Sequence, residues 1–159
     1  MTTNQIITQS IATSAGLLHR MVDDLSPADW TRRPLPEANC VAWIIGHLAT
    51  IEHSMLQTFG RTPPALPEGE FAKIYGMGSK PTADMHYGDV GRLMPLFDAH
   101  RAMTVQAITA MSADDFNRPL THPMFKSVGE MVALIPVHTA LHAGQISTIR
   151  RSLGKPALM

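Results

Sequence analysis

His138 and His142 stand four residues apart in the stretch VHTALHAGQI, from Val137 to Ile146. On a helix that spacing puts both imidazoles on one face, about one turn apart and within reach of a shared divalent ion. Met131, Ile135, His138, His142 and Ile149 fall on the same stripe, so both rings are expected to point toward the apolar interior. A neutral imidazole buried there needs a partner or carries a desolvation cost. One shared ion meets that need for both rings, and helix packing with each ring separately hydrogen-bonded is the alternative. A zinc protease of the HExxH type is disfavoured, because Thr139 occupies the position of the general-base glutamate. Pro136 removes a main-chain hydrogen bond just ahead of His138 and is expected to kink the helix there.

A third ligand has to come from a neighbouring helix. His47 is the best candidate, since its flanks Ile44 and Ile51 belong to the apolar stripe of an earlier segment. Three histidines with one open position suit Zn(II), Ni(II) or Fe(II), the open position taking water or substrate. Candidates for acid–base catalysis are His100, in register with Leu93, Leu96 and Met103, and Glu52, which could accept an imidazole proton or form a surface ion pair. His86, Tyr75 and Tyr87 are either lid residues or solvated loop residues. Cys40 is a thiol activated by a helix dipole or a small buried residue under a cap. Arg150 and Arg151 complement the dipole of the last helix or bind an acidic thiol cofactor.

Four segments carry apolar residues at helical spacing, and none alternates as a strand does. They run from Asn4 to Leu25 (Ile7, Ile11, Leu18, Val22, Leu25), from Asn39 to Phe59 (Val41, Ile44, Leu48, Ile51, Met55), from Asp89 to Met111 (Leu93, Leu96, Met103, Ala107, Met111) and from Ser127 to Leu153 (Met131, Ile135, Leu141, Ile146, Ile149). Asn39 is the expected N-cap of the second segment, Ser127 and Glu130 form an expected capping box for the fourth, and Gly154 followed by Pro156 is a stop. LSPADWTRRPL at Leu25 to Leu35 matches MSADDFNRPL at Met111 to Leu120, and AWIIGH aligns with ALIPVH, which pairs His47 with His138. The match is short enough for shared turn chemistry to explain it as well as an internal repeat. Trp30 and Phe116 occupy equivalent turns and are expected to plug the bundle ends. Between the halves, Gly60 to Gly88 is rich in glycine and proline and long enough to run back along a helix of ~30 Å. The expectation is one all-α domain, a four-helix bundle with a long crossover between the second and third helices.

VAWIIGHLATIEH, the Gly-rich YGMGS and HTALHAGQISTIRRSLG resemble the DinB-like four-helix-bundle superfamily, which includes bacterial thiol S-transferases using bacillithiol or mycothiol. The resemblance spans nearly the whole chain, and its specific part is one histidine on helix two followed by HxxxH on helix four. It implies that His47, His138 and His142 bind a divalent metal, that the helices run up, down, down, up, and that the protein is a bacterial homodimer.

Hydrophobic residues make up 45% and charged residues 16% of the 159 residues, which is the balance of a globular domain able to bury a core without disulfides. Formal net charge is zero, so the basic footprint of a nucleic-acid binder is missing. The N-terminus lacks the pattern of a secretion signal, and no run approaches the ~18 apolar residues of a membrane span. A single cysteine agrees with a reducing compartment, so the sequence reads as cytoplasmic. The three histidines, together with what the resemblance implies, lead to the expectation of a divalent-metal-dependent enzyme that activates a low-molecular-weight thiol, or water, against a small electrophile. A noncatalytic metal- or ligand-binding dimer and a purely structural bundle are the alternatives.

Overall fold

The computed structural model describes residues 1–79, 82 and 85–156. Among these, all regular structure is helical apart from one isolated bridge between Pro119 and Ser127. Four long helices form the bundle: α1 (Thr3–Val22), α3 (Val41–Thr58), α5 (Leu93–Thr109) and α7 (Val128–Ser152). Three short ones join them: α2 (Pro27–Thr31), α4 (Phe71–Tyr75) and α6 (Ala113–Asn117). Among the described residues, no helix is long and apolar enough to cross a membrane.

Side-chain bonds between helices fix their directions. Arg101 donates to the Ile11 carbonyl at 3.5 Å and to the Thr139 hydroxyl at 2.9 Å, while Arg150 donates to the Met21 carbonyl at 2.8 Å. The middle of α1 thus lies level with the middle of α7 and the end of α1 with the end of α7, so the two helices run parallel. Asn4 bonds the Ile108 carbonyl at 2.9 Å and His19 bonds Asp98 at 2.8 Å, so α5 runs antiparallel to α1. Glu52 is level with Arg101, and the C-terminal ends of α3 and α5 line one cleft, which makes those two helices parallel. This is the up-down-down-up arrangement. The long connection after α3 returns along the bundle before α5 begins.

The expected boundaries hold to within a few residues, and their differences have local causes. Helix α1 stops at Val22 because Ser26 and Asp29 form a new capping box, which starts α2 at Pro27. An equivalent box between Ser112 and Asp115 starts α6, so the repeated turn is real at the level of capping chemistry. Trp30 is buried in its turn, whereas Phe116 is half-buried against Gly129. Cys40, not Asn39, is the N-cap of α3, and its side chain makes no cap bond. At the start of α7, Ser127 accepts the Glu130 N–H as expected, but the Glu130 carboxylate takes the N–H of Lys126, so the box is half formed. The helix continues through Pro136 and ends before Gly154, whose φ of 74° supplies the left-handed turn.

Two buried stripes differ slightly from those the apolar periodicity predicts. On α5 the buried residues are Leu93, Phe97, His100, Arg101, Thr104, Ala107 and Ile108, with Leu96 and Met103 only half-buried. On α7, Leu141 is 62% exposed, and Thr139 and Ala143 face inward instead. Both shifts have one cause: polar residues occupy inward positions that an apolar pattern does not count. They form a layer across the bundle. On each helix, Ser14, Glu52, Arg101, Thr104 and Thr139 separate an apolar cluster around Ile11, Met55, Ile108 and Ile135 from another around Leu18, Ile44, Phe97 and Ile146.

Candidate metal centre

Helices α3 and α7 cross antiparallel, with Asn39 bonded to Gln145 at one level and His47 facing His138 at the next. This contact brings together the three histidines singled out above. The ring centroids of His47 lie 5.3 Å from those of His138 and His142, and those two are 4.6 Å apart. One nitrogen from each ring lies within 4.8 Å of the others, a spacing at which the three could hold one ion. His47 and His142 are buried and His138 is half-buried.

Hydrogen bonds decide which nitrogens converge. His47 Nδ1 lies 2.8 Å from the Tyr75 carbonyl oxygen, and His142 Nδ1 lies 3.0 Å from Gln145 Oε1. Both partners are acceptors, so Nδ1 carries the proton and Nε2 keeps its lone pair in each ring. His138 Nε2 sits 3.0 Å from His142 Nε2. Two ring nitrogens facing each other need either a proton on His138 or a cation between them. Gln145 Oε1 is held in turn by the Asn39 amide at 3.2 Å. Trp43 stacks on His47 at 4.6 Å and 10°, and its indole N–H reaches the Ile74 carbonyl at 3.1 Å and Ser79 Oγ at 3.0 Å.

Burial disfavours the imidazolium form throughout the cluster. It is the main reason that the His138 and His142 pKa values fall to about 4, with neighbouring histidines adding repulsion, and it lowers that of His47 against the opposing bond to Tyr75. All three imidazoles are therefore neutral near pH 7. In the unfolded chain they take up protons near pH 6.5, and in the folded chain only at lower pH. The unfolded state binds more protons between those values, so stability of the metal-free protein is full above about pH 6.5 and falls as the medium is acidified toward pH 4. Urea midpoints at pH 7.5, 6 and 5 should decline in wild type, and His138→Ala/His142→Ala should flatten that decline. A slope unchanged by the double substitution would place the titrating groups elsewhere.

His100, Glu52 and Arg150 have partners other than the three histidines. His100 is fully buried, with Nδ1 at 2.8 Å from the Leu96 carbonyl and Nε2 at 3.2 Å from His53 Nδ1. Glu52 is buried, and its partner is Arg101, whose Nε donates to Oε1 at 2.6 Å, rather than an imidazole. Burial pushes the Glu52 carboxyl up, opposed by the Arg101 charge. Arg150 is taken up by the Met21 carbonyl and Asp24, and it holds the Asp24 carboxyl well below the usual range, so it is not free for a cofactor. Tyr75 is buried, not a solvated loop residue, while His86 is exposed. Cys40 is buried under the start of α3.

Sequence reasoning missed Trp43, Gly46 and Gln145, and it named Tyr75 only as a lid or loop residue, not as the partner of His47. Gln145 was open to discovery, since it lies three residues beyond His142 on the same helical face. The bond from His47 to the Tyr75 carbonyl was not, because a main-chain carbonyl arriving from the crossover leaves no local signal.

Fold and cluster together define a four-helix bundle with three histidines gathered between antiparallel helices. A family model for the DinB superfamily matches residues 11–146, and the chain belongs to that superfamily. Among solved structures, it is similar to YfiT from Bacillus subtilis, described as a probable metal-dependent hydrolase with an unusual four-helix bundle topology. That likeness has a TM-score of 0.72 at 17% identity and covers 98% of this chain and 91% of that one. It is also similar to a conserved protein from Enterococcus faecalis, with a TM-score of 0.72 at 13% identity, covering 98% and 99% of the two chains. At such identities the likeness shows the fold. A comparison with curated proteins finds no match.

Proposed function

We propose that the protein is a divalent-metal-dependent enzyme in which His47, His138 and His142 hold one ion and an open position admits a small thiol or water for attack on a small electrophile. The observation that carries this reading is the pair of fixed tautomers: Tyr75 and Gln145 hold Nδ1–H of His47 and His142, leaving their Nε2 lone pairs for a common ion. Three neutral imidazoles fill three positions of a tetrahedral ion, leave the fourth to another ligand, and suit Zn(II), Ni(II) or Fe(II). When bound, such an ion lowers the pKa of a coordinated thiol or water so that it serves as a nucleophile near neutral pH. The chain's own part is to aim the imidazoles, keep them neutral by burial and exclude bulk water with Trp43. The YfiT description supports the hydrolase version, and the resemblance to thiol S-transferases supports the thiol version. Exposed Val137 and Leu141 on α7 support a second copy of the chain as a partner.

The versions separate by assay. Protein loaded with Zn(II), Ni(II) or Fe(II) is offered electrophiles with and without a low-molecular-weight thiol, and formation of the thiol adduct or of the hydrolysis product is followed. Thiol-dependent adducts identify a transferase and thiol-independent cleavage a hydrolase. Neither, with stoichiometric metal present, identifies a binding protein. That reading has a specific support too: His100 is paired with His53 and Glu52 with Arg101, so neither proposed acid–base residue is bonded to one of the three histidines.

Gln145 tests the tautomer argument directly. Gln145→Leu removes the acceptor for His142 Nδ1–H and is expected to weaken Zn(II) affinity by about 10–100-fold while leaving one ion per chain. Competition with a chromophoric chelator measures this, and wild-type affinity in the variant would show that Gln145 does not orient the ring.

A further inference from the structure

The acceptor that orients His47 does not come from the helix bundle. It is the main-chain carbonyl of Tyr75, at the end of α4 in the crossover, 2.8 Å from Nδ1. What holds that carbonyl in place is the side chain of the same residue. The Tyr75 ring lies directly on Gly46, one residue before His47. A Cβ at position 46 would overlap the ring, with even the third-nearest ring atom, Cγ, only 2.7 Å away. The ring also packs on Phe71 at 4.4 Å, and the hydroxyl donates to the Tyr87 carbonyl at 3.2 Å. The adjacent carbonyl, that of Ile74, receives the indole N–H of Trp43, whose ring covers His47. Two successive carbonyls of the crossover thus hold the two stacked rings of α3.

We propose that Tyr75 is a positioning residue of the metal centre, acting through the Gly46 socket, and that ion binding is therefore linked to docking of the crossover. This rests on the metal reading of the three histidines. An ion on Nε2 makes Nδ1–H a stronger donor and tightens its bond to the Tyr75 carbonyl. By reciprocity, whatever holds that carbonyl in place raises affinity for the ion.

The test uses the full-length protein with Zn(II) as probe. Gly46→Ala displaces the ring without touching a ligand, Tyr75→Ala removes it, and Tyr75→Phe keeps it while losing only the hydroxyl. Gly46→Ala and Tyr75→Ala are expected to lower Zn(II) affinity by about 10–100-fold at unchanged stoichiometry, and Tyr75→Phe to restore it to wild type. In wild type, Zn(II) is expected to slow amide hydrogen exchange across residues 74–79, a readout that needs no variant to fold. Wild-type affinity in both Gly46→Ala and Tyr75→Ala, or exchange at 74–79 indifferent to Zn(II), would overturn the positioning role alone. Failure of the wild-type protein to bind Zn(II), Ni(II) or Fe(II) would instead overturn the metal reading, and this role with it.

Discussion

His138→Ala/His142→Ala, purified without an affinity tag, is expected to retain no stoichiometric divalent metal, while wild-type protein carries one ion per chain. Removing two of the three imidazoles leaves a single one, which cannot hold an ion against water. The loss should exceed the ~10–100-fold expected from disturbing a ligand's hydrogen-bond partner. His47→Ala alone should also lose most of its affinity, because its ring centroid lies 5.3 Å from both others and its Nε2 is the only donor from α3 in the cluster. Elemental analysis of the three proteins, before and after incubation with Zn(II), Ni(II) and Fe(II), reads the result. Full affinity in His47→Ala would break the triad. Absence of metal from wild type under all three conditions would make the cluster a packing feature.

Arg101→Ala is expected to destabilise the metal-free protein by roughly 3–5 kcal/mol, the cost typical of stranding one member of a buried ion pair. Glu52 is 3% exposed, and its counter-charge is Arg101, which also ties the Thr139 hydroxyl and the Ile11 carbonyl. One guanidinium therefore bridges all four bundle helices at the level of the polar layer. Replacing both partners, as Glu52→Met/Arg101→Met, removes the stranded charge and should cost much less than the sum of the single substitutions. Chemical denaturation of wild type, Glu52→Met, Arg101→Met and the double variant completes the cycle. If Arg101→Ala proved as stable as wild type, Glu52 would have found solvent or a proton, and the layer would not depend on the pair. The same substitution bears on the site, since the Arg101 charge helps to lower the pKa of His138.

The histidines were legible because their signal is local. His138 and His142 share a face by spacing alone, and His47 is flanked by Ile44 and Ile51, so its inward direction follows from the stripe around it. The four helices were legible for the same reason. Errors fell where a polar residue takes an inward place. On α5, Arg101 and Thr104 face the interior because Glu52 waits opposite, and a pattern read from apolar residues alone slid toward Leu96 and Met103. On α7, Thr139 faces inward toward Arg101, and Leu141, which the apolar pattern places in the core, is exposed. Asn39 was read as a helix cap, yet its amide is spent on Gln145, a residue more than a hundred positions away.

By itself the sequence determined the all-helical class, the crossover, the positions of the capped turns and the three residues able to share an ion. Each follows from interactions spanning a few residues, or from a connection's length. Only the tertiary structure decided which nitrogens face inward, that Glu52 answers Arg101 rather than an imidazole, that His100 turns to His53, and that Tyr75 closes over Gly46. These are pairings between separate helices or between a helix and the crossover. They depend on helix rotation and on where a long connection lands, which are set by packing of the whole bundle and leave no period in the chain.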